Sequence, residues 1–420
     1  MGNAQSWCFG EVAFEVTDRA GASSEDLPVY GVDKSIGLTS EPRYQSKNLQ
    51  RYKRIDHGMF AYNPMRLNIG SIGFCFEDIP PGLVSPDYVV FACDPKRLLP
   101  KFCYYHTQSS PWKSWLSLAG EGSVRERIYF KKLAAYEVEL PPITYQQAAV
   151  EILSSLDDKI ELNRRMNEAL EGAARALFRD WFVDFGPTRR QMEGATDPVA
   201  IMGGAFPAEK AASIAPLFPA VFGDDDLPEG WRVQSIYEYA KVIYGAPFKS
   251  KRFNNVGVGR PLARIRDLPK NQAGQYTDEV HKKEHLMRPG DVVVGMDGEF
   301  RSYLWHGVPT LMNQRVCSFE PINARDRAFV WLAIKPWLRF FESTAIATTV
   351  IHLGKGDIDT FEIVDGGDEV KAAFSAILEP VASKIVANGQ ESQTLAEIRD
   401  LLLPKLMSGE ICVGDVGAAG

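Results

Sequence analysis

Between residues 43 and 66 the chain carries Arg43, Lys47, Arg51, Lys53, Arg54 and Arg66 against one acid, Asp56. Tyr44, Tyr52, Phe60, Tyr62 and Asn63 lie among them. A second basic stretch holds Lys241, Lys249, Lys251, Arg252, Arg260, Arg264, Arg266 and Lys270 beside only Asp267. Cations interleaved with aromatic and amide side chains suit phosphate contact combined with reading of base edges. The competing interpretation is an ordinary solvated face, and the two are separated only by what else the chain contains.

Enzyme chemistry is thinly represented. His281-Lys282-Lys283-Glu284-His285 fits the H-x-x-E-H pattern of some zinc hydrolases, but it sits in a charged stretch before Arg288-Pro289-Gly290 and no third ligand is apparent. Cys103 with His106 fits core packing better than a nucleophile and its base. Asp184-Phe185-Gly186 matches a kinase triplet without the companion motifs. No GxxxxGK[ST] loop is present, which argues against an NTPase, and no GxGxxG follows a strand and opens a helix.

The whole chain narrows the classes further. Its 420 residues suggest two to four domains, and 45% hydrophobic with 24% charged residues is globular composition. The net charge of −7 argues against a uniformly basic nucleic-acid binder, so any such role must be local. None of the six cysteines forms a CxxC pair, which fits reduced thiols in the cytoplasm. No apolar run is long enough to span a membrane. The start lacks a signal-peptide pattern, and Gly2 with Ser6 fits a myristoylation pattern only superficially.

The elements that must position these residues come in two copies. At an offset of 225, Ile152, Leu153, Lys159, Ile160, Asn163, Leu170 and Leu177 are identical to Ile377, Leu378, Lys384, Ile385, Asn388, Leu395 and Leu402. Upstream, Leu133, Tyr136, Glu137 and Val138 match Ile358, Phe361, Glu362 and Ile363, and Trp7 and Val12 match Trp231 and Ile236 one residue out of step. Each copy opens with a mixed, strand-rich part built on runs such as Tyr88-Val89-Val90-Phe91 and Asp291-Val292-Val293-Val294. Each closes with a seam stepping by three and four. One is Leu153, Leu156, Ile160, Asn163, Asn167, Leu170, Ala174 and Leu177; the other is Leu378, Val381, Ile385, Asn388, Ser392, Leu395, Arg399 and Leu402.

These seams predict long helices over about 145–183, entered through a Thr144/Gln147 capping box, and about 369–403, with Pro404 ending the second. Pro380 should kink the second helix or mark its start, and Gly389 should weaken it. Packed antiparallel, the two would form a coiled coil with the globular parts projecting from opposite ends, its register set by the polar Asn163 and Asn388. The alternative is that each helix packs on its own domain or on a partner. Residues 187–230, rich in Pro, Gly and Ala and ending in Asp224-Asp225-Asp226, read as a linker. The expected division is therefore 1–142, a first recognition domain; 143–186, a central helix; 187–230, a linker; 231–364, a second recognition domain; and 365–420, a second helix and tail. The fold class is α+β.

The stretch LPPITYQQAAVEILSSLDDKIELNRRMNEALEGAARALFRDWFVDFGP (140–187) closely resembles the central conserved region of specificity subunits from type I restriction–modification enzymes. LAEIRDLLLPKLMSGEI (395–411) resembles their C-terminal conserved region. LPEGW (227–231), GDVVVGMDGEF (290–300) and MNQRVCSFEP (312–321) resemble parts of their target-recognition domains. In the first copy, YNPMRLNIGSIG (62–73) and SPDYVVF (85–91) resemble another version of that domain.

That resemblance implies a non-catalytic DNA-recognition subunit. Each domain would read half of a bipartite duplex target. Partners would be two modification subunits, which methylate adenine with S-adenosylmethionine, and restriction subunits, which use ATP and Mg to translocate and cut. The chain itself would need no cofactor. Candidate DNA contacts are Arg43, Lys47, Asn63, Arg66 and Asn68 in the first domain, and Lys249, Arg252, Arg264, Arg301, Asn313, Gln314 and Arg315 in the second. Asn or Gln can pair with adenine and Arg with guanine in the major groove. The rival readings are a coiled-coil scaffold and a zinc hydrolase using His281 and His285.

Overall fold

Short apolar runs set the strands of the first half. Gln5–Cys8 pairs antiparallel with Glu137–Leu140, placing Trp7 opposite Val138. In Glu137–Leu140 the alternation is complete: Val138 and Leu140 are buried and both glutamates are exposed. This is a computed structural model describing residues 4–21, 27–42, 44–119, 127–344 and 352–411, so Arg43 and Cys412 lie outside the described residues. The chain divides into two units, Met1–Asp158 with Leu395–Gly420, and Lys159–Thr394.

The first unit contains two four-stranded sheets. One runs, edge to edge, Ala13–Val16, Val89–Cys93, Phe60–Tyr62, Ile72–Phe74, all antiparallel. The other runs Gly37–Thr39, Val29–Asp33, Gly82–Val84, Lys53–Ile55, with a parallel pair at its centre. Phe9, Phe60, Phe91 and Trp112 are fully buried between the first sheet and its helices. Each such side chain contributes roughly 1.5–3 kcal/mol of burial.

The second unit repeats this topology strand for strand. Ala240–Tyr244, Val316–Pro321, Val292–Gly295 and Ser302–Leu304 form the antiparallel sheet. Gln275–Thr277, Arg260–Ala263, Thr310–Met312 and Leu286–Met287 form the second sheet, again with a central parallel pair. One strand has no counterpart among the described residues of the first unit: Phe253–Asn254 adds to the edge of Gln275–Thr277. The duplication thus extends well beyond the segments where residue identities reveal it. The basic stretches at 43–66 and 241–270 are not equivalent, because by strand order 43–66 corresponds to the segment around 278–301.

The helices run Ile143–Phe182 and Gly367–Met407. The first starts before the anticipated capping box. Tyr145 and Gln146 donate their backbone N–H groups to the Pro142 carbonyl, and the buried Gln146 side chain instead ties the backbone of Arg97, Leu99 and Pro141. The second helix continues through both Pro380 and Pro404, contrary to expectation. Pro380 and Ala376, whose carbonyl would have accepted the missing N–H, are both exposed, so water can satisfy that group. Buried Phe374, Leu378, Ala382 and Ile385 hold the helix on either side.

Gly389 has a packing reason. A Cβ there would come within 2.4 Å of the His306 ring, so the glycine lets that ring lie against the helix backbone.

Within each unit the helical segments pair antiparallel. In the second, Asn163 donates to the Asn388 carbonyl (3.4 Å) and to Glu391 (2.8 Å), Asn388 donates to Asn167 (2.9 Å), and Asn167 donates to the Ile385 carbonyl (3.0 Å). In the first, Arg399 pairs with Asp157 at 2.8 Å and Tyr145 donates to the Ile411 carbonyl.

Residues 187–230 are not a linker. They form helices at Gly186–Met192, Pro198–Ile201 and Ala208–Ile214. Ile201, Met202, Ile214 and Phe218 join a core with Trp181, Phe182, Trp231 and Phe374. Arg190 closes the corner with a two-pronged bond to Asp180. Composition misled because Pro and Gly sit at the bends while the apolar residues between them are buried.

Candidate nucleic-acid interface

In the second unit the central parallel strands are in register at Leu262 with Leu311 and Ala263 with Met312. Their C-terminal ends therefore release Arg264 and the turn Asn313-Gln314-Arg315 at one edge. Asn313 donates its N–H to the Ala263 carbonyl (3.0 Å), and its own carbonyl accepts from Val316 (2.9 Å), which closes the turn. Gly245 packs onto this turn so closely that a Cβ would lie 2.1 Å from the Asn313 oxygen.

At this edge the structure sorts the candidate residues by their partners. Arg264 is held by Asp267, which accepts from both its N–H and its Nε. Arg315 reaches Asp297 at 3.3 Å and lies against the His352 ring. The His352 Nδ1 is 2.8 Å from Asp297 and 3.1 Å from the Met296 carbonyl. Asn313 and Gln314 have side chains that no described residue engages, and Gln314 is exposed.

The other candidates of this unit lie elsewhere on it. Arg301 is paired with Glu342 and, at 3.8 Å, with Glu299, and Glu342 holds its guanidinium firmly charged. Arg252 pairs with Asp278 at 2.8 Å beside the exposed Lys249.

In the first unit, Asn63, Arg66 and Asn68 share the loop between Phe60–Tyr62 and Ile72–Phe74. Asn63 accepts the Met65 N–H with its side-chain oxygen (2.9 Å), an Asx turn that gives it a structural role. Arg66 and Asn68 are exposed. Asn68 lies on the rim of a groove of about 750 Å³ floored by Phe60, Phe74 and Trp112, and Lys34, Gln108 and Lys113 share that rim. Those three were not foreseen, because Lys34 sits in a hairpin turn, Gln108 in the turn between two helices and Lys113 on a helix face, where no motif marks them. Lys47 is exposed on a separate loop and does not line the groove. Lys53 drops out of the basic stretch: it is buried, donates to the Tyr88 carbonyl at 2.7 Å and neighbours Glu15.

The zinc-like motif is engaged differently. Glu284 receives both forks of Arg260, at 2.6 and 2.7 Å, and the His281 N–H. This holds its carboxyl down at about 2, so it cannot act as a general base near neutrality. His106 is likewise structural: burial pushes it down to about 4, and its Nε2 lies 2.8 Å from the Tyr136 hydroxyl.

The family comparison agrees with this geometry. The profile of the type I restriction modification DNA specificity domain matches residues 65–172 and 228–364, together more than half of the chain. The chain belongs to that family.

Among similar proteins, the HindI specificity subunit of Haemophilus influenzae is 26% identical over 86% of this chain and 88% of its own length. The MjaIX specificity subunit of Methanocaldococcus jannaschii is 24% identical over 86% of this chain and 76% of its own. The S subunit of the type I restriction–modification system of M. genitalium shares the fold, with a TM-score of 0.51, 14% identity and 96% of each chain covered. As a specificity subunit the chain is a non-catalytic, DNA-target recognition component that works with modification and restriction subunits. Among the described residues no helix is long and apolar enough to cross a membrane.

Proposed function

We propose that each mixed domain reads one half of a bipartite duplex sequence and that the chain thereby directs adenine methylation or restriction. Its partners in this reading are two modification subunits and the restriction–translocation subunits, all in the cytoplasm. Residues 1–142 and 231–364 are the readers. The helices in 143–186 and 365–420 join them, with Asn163 and Asn388 fixing the register of the pair. The observation that carries this reading is the strand order. The same two sheets, with the same parallel centre, occur twice, while the residues at the equivalent edges differ. One frame used twice with different edges suits two half-sites of different sequence.

In the second domain Asn313 and Gln314 are free to offer a paired donor and acceptor to adenine, and Arg264 and Arg315 are steadied guanidinium groups suited to guanine. In the first, Arg66 and Asn68 take those roles, with Lys47 and Arg43 on phosphates. Lys249 and Arg252 contact the duplex backbone, and Arg301 stands at its margin. Mapping methylated adenines in cells expressing the subunit with its methylase tests this. Arg66→Ala should relax one half of the motif and Gln314→Ala the other. Relaxation of the same half by both would contradict separate readers.

A further inference from the structure

The His281–His285 stretch has no catalytic use, yet it sits beside the Phe253–Asn254 strand, which has no counterpart among the described residues of the first domain. Between residues 245 and 285 the acids are Asp267, Asp278, Glu279 and Glu284. Each is engaged within the domain. Asp267 caps Arg264, Asp278 holds Arg252 at 2.8 Å, Glu284 binds Arg260, and the buried Glu279 accepts the Lys249 backbone N–H at 2.8 Å. The same contacts, with Phe248 and His281 rings 5.9 Å apart, draw segment 278–285 against segment 248–254. Lys249 and Lys251 lie on one of these two segments and Lys282 and Lys283 on the other, all exposed, with no described carboxylate on any of their ammonium groups.

We propose that these four lysines form a phosphate clamp, a sequence-independent site for the sugar–phosphate backbone of duplex DNA, separate from the base-reading edge at Arg264 and Asn313–Arg315. The proposal rests on the DNA-reading role given above. The chemistry fits phosphate better than bases. An ammonium on a flexible stem is a point charge without the planar fork that reads guanine. Lysines on an edge strand can also serve to deter strand addition, but Lys282 and Lys283 lie in a turn, where there is no edge to protect. Among the described residues the first domain shows no counterpart of this strand or of its lysines, so the clamp makes the two readers unequal in affinity while leaving their specificities separate.

The test uses the subunit assembled with its modification subunits, titrated with a duplex carrying the methylated motif and with a scrambled duplex from 50 to 200 mM salt. Changing all four lysines to Gln should weaken both duplexes by the same factor. It should also make the plot of log affinity against log salt shallower by about 3 to 4, since each phosphate contact contributes about 0.9. The charge-keeping change of all four to Arg should preserve affinity and slope, which separates loss of charge from loss of fold. The methylated motif should be unchanged. An unaltered slope in the Gln variant, or weakening confined to the motif duplex, would overturn the clamp. Failure of the unmodified complex to prefer its motif would instead overturn the reading role, and the slope on scrambled DNA would still decide the clamp.

Discussion

The two units present opposite chemistry on the same frame. After the first strand of the parallel pair, the first unit continues into the Asp33–Gly37 hairpin that carries Lys34, and the second into Arg264, which Asp267 holds. After the second strand, Ser85-Pro86-Asp87 stands where the second unit has Asn313-Gln314-Arg315. The second unit's candidate arginines are each locked to a carboxylate, whereas Arg66 of the first is exposed on a loop beside an aromatic groove. The helix segments differ too. The second unit joins them through an asparagine ladder, the first through Asp157 and Arg399. Duplicated topology therefore fixes where loops emerge, and the loops carry the individuality.

Acid should reveal what the units share beneath that difference. Each holds a neutral histidine, the buried His106 in the first and the half-buried His306 in the second, and desolvation pushes both down to about 4. The unfolded chain takes up these protons near pH 6.5, so the stability each provides is complete above that pH and declines as pH falls toward 4. Between pH 6.5 and 5, His106 should account for about 2 kcal/mol of lost stability, and the less buried His306 for somewhat less. Urea unfolding of His106→Phe and His306→Phe should each show a reduced acid loss. Acid sensitivity equal to that of the unaltered chain would mean that these rings are charged in the fold.

A smaller effect separates the helix pairs. Under the offset of 225, Asp157 and Arg399 correspond to Ala382 and Ala174, both buried in the second unit. Asp157→Ala should cost about 1–2 kcal/mol, because Arg399 is left with only Asp400 in a partly buried place. Adding Arg399→Ala removes the stranded guanidinium and should recover part of that loss, the rest staying with the buried Tyr105 hydroxyl, which donates to Asp157 at 2.9 Å. A double variant no better than the single would show that the pair is not acting as a pair.

Much of this was legible beforehand, and for physical reasons. The three-and-four spacing of Leu153 through Leu177 imposes an amphipathic helix whatever surrounds it, and the constant offset exposed the duplication. Pro380 and the 187–230 stretch were misread because local propensity was outweighed by tertiary burial around Phe374 and Trp181. The candidate interface was legible only as a set of residue types. Nothing in sequence spacing shows that Arg252, Arg301 and Arg315 meet Asp278, Glu342 and Asp297, or that Lys53 turns inward, because those contacts join residues far apart in the chain.

The finest distinction lies within the second unit. Gln314→Ala should cost about 1 kcal/mol of discrimination between the proper half-site and a single-base variant, with unfolding unchanged. Arg301→Ala, which breaks the pair with Glu342, should instead show in unfolding and leave discrimination nearly intact. Competition binding alongside melting curves separates the two, and the reverse pattern would exchange their roles.

The central claim is that one chain holds two independent readers, and domain exchange tests it most directly. Residues 1–142 are replaced by the corresponding domain of a relative with a different target, the chimera is expressed with its methylase, and methylated adenines are mapped across the genome. The account predicts a motif in which one half is new and the other half is that of the unaltered subunit. A chimera that is active yet changes both halves, or neither, would contradict it.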